Sequence, residues 1–97
     1  MRALDVALLW HMHQPSYRNP STDVYELPWV RLRAAKDYVH MLEVLADYPD
    51  VRVTINWTPV LLAQLDDYAA GRARDRWLEL AVRRRRSPSE QRFMLQQ

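Results

Sequence analysis

The stretch Ala3–Pro15, ALDVALLWHMHQP, decides how the rest of the chain is read. Ala3 to Trp10 is a nearly continuous apolar run, broken only by Asp5 and too short for a typical helix. That pattern fits a parallel strand covered on both faces. His11 and His13, two of the three histidines, then stand one residue apart where the run meets Pro15. With the strand ending at Trp10, His11, His13 and Gln14 lie just beyond its C-terminal end, where the ligand sites of parallel sheets and barrels gather. In an extended continuation, side chains two apart share a side, so the two imidazoles face together while Met12 turns away. Pro15 fixes its own φ and holds Gln14 extended, which stiffens the presentation.

Outward from this stretch the pattern alternates. His11 to Pro28 holds three of the six prolines together with Ser16, Asn19, Ser21 and Thr22, and reads as one long loop. Loops beyond about 12–15 residues tend to be functional. Val30 to Tyr48 has helical periodicity, with Val30, Ala34, Tyr38, Met41, Leu42 and Leu45 on one face. Val51 to Trp57, VRVTINW, has the β-branched content of a second strand. Thr58-Pro59 is an N-cap followed by proline at N1, and Leu61, Leu62, Leu65, Tyr68 and Ala69 form the expected buried face up to Gly71 at C′. A further helix runs from about Ala73 into Arg83, and Ser87-Pro88-Ser89-Glu90 is a capping box opening one more.

The expected architecture is therefore α/β, with two parallel strands and three to four helices. Two parallel strands leave unpaired edges and too little cover, so residues 1–97 read as the front part of a larger domain, marginal by themselves.

Composition narrows the function classes. Hydrophobic residues make up 48% of the 97 and charged residues 27%, as expected of an ordinary soluble globular chain. Without cysteine there is no disulfide, thiolate metal site or cysteine nucleophile. Gly71 stands alone where average usage predicts roughly seven glycines, so a glycine-rich phosphate loop is excluded. No apolar stretch approaches the roughly 20 residues of a membrane span, and Asp5 spoils the start as an export signal, so a cytoplasmic location is expected. Net charge is +2 and demands no anionic partner. The run Arg83–Arg86 fits a helix C-terminus, and without interleaved aromatics no nucleic-acid partner is assigned.

Spacing alone leaves three uses open for the histidine pair: metal ligation, contact with a substrate, and structural hydrogen bonding. The surrounding text narrows this. HMHQP, followed by LPWVRLRAAKDY (Leu27 to Tyr38) and VRVTINWTPVLLAQLDDYAAG (Val51 to Gly71), resembles the N-terminal region of glycoside hydrolase family 57. That family holds α-amylases, amylopullulanases, branching enzymes and 4-α-glucanotransferases. His13-Gln14-Pro15 is similar to its first motif, with His11 at the companion position.

The resemblance implies an incomplete (β/α)7 TIM-like barrel acting on an α-glucan or maltooligosaccharide with retention of configuration. It also implies that the nucleophile and acid/base carboxylates stand further along the chain, so that residues 1–97 carry no catalytic residue and are inactive alone. His11, His13, Gln14, Trp29 and Asn56 become the substrate-binding candidates, with no metal and no cofactor. Trp29 is chosen among Trp10, Tyr17, Tyr25, Trp29 and Trp57 because sugars stack their C–H faces on rings and it ends the long loop. The alternative is a metal-dependent hydrolase or deacetylase of the β/α-barrel type, with His11 and His13 as ligands.

Overall fold

The structure, a computed structural model, describes residues 3–96. Its elements follow in the order β1 (Leu9–Met12), β2 (Arg18–Asn19), β3 (Val24–Tyr25), α1 (Trp29–Arg33), a π-helical turn (Ala34–Tyr38), α2 (Val39–Ala46), β4 (Thr54–Trp57), α3 (Pro59–Ala69), β5 (Arg74–Asp75), α4 (Arg76–Val82) and α5 (Pro88–Leu95). They form two compact units. One holds the chain up to Ser16 together with Trp29–Arg72; the other holds Tyr17–Pro28 and the chain from Ala73 onward.

In the first unit β1 and β4 pair in parallel, from Leu9↔Thr54 to Met12↔Trp57. The parallel pair agrees with the expectation, but its first strand lies later in the chain. A strand persists only where its backbone groups find a ladder partner, and the pairing starts where Thr54 N donates to Leu8 O at 2.9 Å. His11 is consequently inside β1 rather than beyond it. Cover on both faces is not found either: Leu4 is 87% and Val6 74% exposed, because among the described residues this sheet has two strands and helices on one side only.

That side is built by α1, α2 and α3. Val30 is fully buried, and Ala34, Tyr38, Met41 and Leu45 are half-buried along the same helical run. Leu42 shares their side yet stays exposed, since it borders an open apolar hollow of about 230 Å³ lined also by Met12, Tyr38, Ile55, Trp57 and Leu65. On α3 the inward stripe is buried Leu61 and Gln64 with half-buried Leu65 and Tyr68, spaced i, i+3, i+4, i+7. Leu62 and Ala69, expected to be buried, fall outside that stripe and are exposed.

Both ends of α3 are well defined. Thr58 occupies the N-cap position, but its hydroxyl donates to Met12 O at 3.2 Å and so ties the helix to β1 instead of capping it. At the other end Gly71 has φ +70°, Gly71 N donates to Tyr68 O and Arg72 N to Asp67 O, a complete Schellman motif. Arg72 then reaches back to the carboxylates of Asp66 and Asp67 at 2.5 and 3.2 Å.

The second unit replaces part of the expected loop with a hairpin. Asn19 Oδ1 accepts from Ser21 N at 2.9 Å, an Asx turn, and Asp23 adopts φ +60°, which lets β2 and β3 pair antiparallel. β3 pairs in parallel with β5, so α4, expected from about Ala73, starts at Arg76. Asp75, 1% exposed, caps it by accepting from Trp77 N and Leu78 N. The capping box expected at Ser87–Glu90 is present, with Ser87 N on Glu90 Oε2 and Glu90 N on Ser87 Oγ. Arg86 donates to the carbonyls of Leu80 and Ala81, satisfying the C-terminal end of α4. Among the described residues no helix is long and apolar enough to cross a membrane.

Candidate functional site

The two-residue period of β1 and β4 sorts their side chains. Met12, Ile55 and Trp57 line the hollow on the helix side, and Trp57 meets Tyr38 edge to face with ring centroids 5.6 Å apart. Leu9 and His11 on β1, with Thr54 and Asn56 on β4, belong to the opposite face and are exposed.

On that open face His11 and Asn56 are register partners, and His11 Nδ1 lies 2.8 Å from Asn56 Oδ1. His13 continues the same side past the strand end. Its ring stands 6.2 Å from that of His11 between centroids and only 8° from parallel, while Met12 between them is buried. The spacing argument for a shared side therefore agrees with the geometry. Among the described residues the ring of His13 has no hydrogen-bond partner in the protein.

Gln14 turns the other way. It is 7% exposed, and its Nε2 donates to the Tyr38 hydroxyl at 2.6 Å. Gln64, 3% exposed, donates from Nε2 to Pro15 O at 2.9 Å and to Val60 O at 3.1 Å. With the double contact of Thr58 to Met12 O, through its backbone N and its hydroxyl, three residues fix the backbone that carries His13. The structure thus joins His11, His13 and Asn56 on one surface and makes Gln14 a buried brace. Trp29 opens α1 and is 45% exposed. It borders a surface hollow of about 380 Å³ with Leu32, Arg33, Ala35, Lys36 and Asp37 of its own helical run, apart from the histidines.

Tyr38 and Gln64 were not foreseen as supports of this site. The signal for Gln64 was its place in the apolar stripe three residues after Leu61, where a polar side chain must find partners.

The electrostatics leave the open face without a carboxylate pair. Asp37 is held by Arg33 at 2.7 Å, and that hydrogen bond, opposed by desolvation and helped by the charges of Arg33 and Lys36, keeps its carboxyl below the usual range. Asp66 and Asp67 are engaged by Arg72, Glu79 by Arg74 and Glu90 by Arg83. Among the described residues no three His, Asp or Glu side chains converge as metal ligands. What the face offers is hydrogen bonding from two imidazoles and a carboxamide, exposed at the C-terminal ends of parallel strands.

The family model described as Glycosyl hydrolase family 57 matches residues 7–96, nearly the whole chain. No curated protein and no solved structure matches significantly.

Proposed function

The chain belongs to glycosyl hydrolase family 57, and from that premise we propose that it supplies the sugar-binding first strands of a retaining enzyme acting on α-glucans. The observation that carries this reading is the open face of the β1–β4 pair, where His11, His13 and Asn56 cluster at the strands' C-terminal ends. In a β/α barrel the helices cover the outside, so the face of a strand away from its helices lines the interior. The exposed apolar residues Leu4, Val6 and Leu9 fit the same picture, since further strands of a barrel would cover them.

On this reading His13 hydrogen-bonds hydroxyls of the sugar at the cleavage point, for which a neutral imidazole with one donor and one acceptor is suited. His11 and Asn56 hold the adjoining position, and Gln14 keeps the turn rigid. Glycosyl transfer with retention needs two carboxylates roughly 5–5.5 Å apart. Among the described residues the open face has none, so on this reading both belong to polypeptide beyond these residues, and the 97-residue chain alone is without turnover. A metal-dependent hydrolase built on His11 and His13 is not favoured, because among the described residues no third ligand converges on them and the family match points elsewhere.

The test is hydrolysis and transfer on maltodextrins by the product of the whole gene, with the product anomer followed by NMR. Formation of the α-anomer, lost on His13→Ala in a folded protein, supports the reading. Unchanged activity in His13→Ala removes that residue from the site.

A further inference from the structure

We infer that Asn56 is a positioning residue that holds the proton of His11 on Nδ1, so that Nε2 faces the site as a fixed hydrogen-bond acceptor for a sugar hydroxyl. The sugar part of this inference rests on the glucan reading above; the proton's position does not.

The argument begins with the register. His11 and Asn56 are paired across the parallel ladder and lie on the same open face, which brings their side chains within hydrogen-bond range. Nδ1 to Oδ1 is 2.8 Å. A carboxamide oxygen has lone pairs and no proton, so the bond forms only when the imidazole nitrogen brings the hydrogen. In the neutral ring this leaves Nε2 with its lone pair. A histidine in water prefers the opposite tautomer, with the proton on Nε2, so Asn56 reverses the intrinsic choice. His13 has no such fixed partner among the described residues and can present either nitrogen. The two near-parallel rings are therefore chemically unequal: His11 accepts only, and His13 donates and accepts. A pyranose bearing neighbouring hydroxyls, each both donor and acceptor, fits such a pair better than a carbonyl or an anion does. Either of those only accepts, and so gives the Nε2 lone pair of His11 no partner.

The decisive measurement is the tautomeric state of His11 in the product of the whole gene, labelled with 15N-histidine and assigned by loss of its signals in His11→Gln. The expected spectrum shows the proton on Nδ1 in the wild type and in Asn56→Asp, which keeps the acceptor oxygen, and on Nε2 in Asn56→Leu. A wild-type ring protonated on Nε2 overturns the inference, and so does an Nδ1 proton that survives Asn56→Leu. The first of these outcomes is read from the wild type alone, whether or not a variant folds. Saturating maltopentaose should then shift the Nε2 signal of the wild type. An unmoved Nε2 with the Nδ1 proton in place would sink the sugar assignment of the site while leaving the role of Asn56 standing.

Discussion

Gln64 and Pro15, 49 residues apart, are joined by a 2.9 Å hydrogen bond from the buried carboxamide of α3 to the backbone carbonyl at the end of the HMHQP segment. The same nitrogen also donates to Val60 O one turn earlier, so a single side chain links helix and turn. Gln64→Leu removes both bonds and leaves the Pro15 carbonyl without its partner. The expected loss is about 1–3 kcal/mol, read by urea unfolding of the whole-gene product, with reduced turnover because the backbone beside His13 loosens. A variant as stable and as active as the wild type would contradict the bracing role.

Replacing His13 should separate function from stability. The ring is exposed and has no protein partner among the described residues, so His13→Ala changes stability by no more than about 0.5 kcal/mol. Removing one preorganised polar contact at a reacting centre typically costs about 10²–10³ in turnover. Paired melting curves and maltodextrin kinetics check both halves.

At the end of α3, Gly71→Ala tests the Schellman motif. A Cβ there would meet nothing within 4 Å, so crowding contributes nothing. The φ of +70° alone carries a cost of about 1 kcal/mol for alanine. Gly71→Asn, which tolerates this conformation better, should recover part of the lost melting temperature.

The N-terminus of α5 should respond to acid. The backbone N–H of Ser87 is the main cause that holds the Glu90 carboxyl below its usual range, with the Ser87 hydroxyl, Arg83 and Arg86 adding to it against a burial effect. A carboxylate with a lowered folded value contributes stability above its unfolded pKa of about 4.5 and loses it as pH falls through the lower folded value. Helicity followed by circular dichroism should therefore decline below about pH 4.5, and Glu90→Gln should flatten that decline. Ser87→Ala removes the reciprocal bond and should cost about 1 kcal/mol at neutral pH.

Much of this was legible in the residues themselves. The N-cap position at Thr58, the capping box and the glycine stop follow from local chemistry that works within a few residues, and the parallel pair from the strand–helix–strand order. The outward-facing histidines followed from the strand period. Other features depend on partners distant in sequence. Nothing local announces that β1 begins at Leu9, because its start is set by where Thr54 can reach it. The β3–β5 pairing joins Tyr25 to Asp75, 50 positions apart, and two-residue strands carry too little text to be read. Trp29 was chosen for its ring chemistry and its place at a loop end. Its surroundings are those of an exposed first helical residue beside Arg33 and Lys36.

The π-helical turn at Ala34–Tyr38 sets the rotational phase of everything after it. Around a regular helix Val30 and Leu42 would stand about 120° apart, at the two edges of the buried face. The extra residue in that turn draws those edges closer together, at the point where Tyr38 meets Gln14. Excising Ala35 would leave a helix that is locally more regular but swung out of step with its own first half. In this run, a more perfect helix would be a worse scaffold.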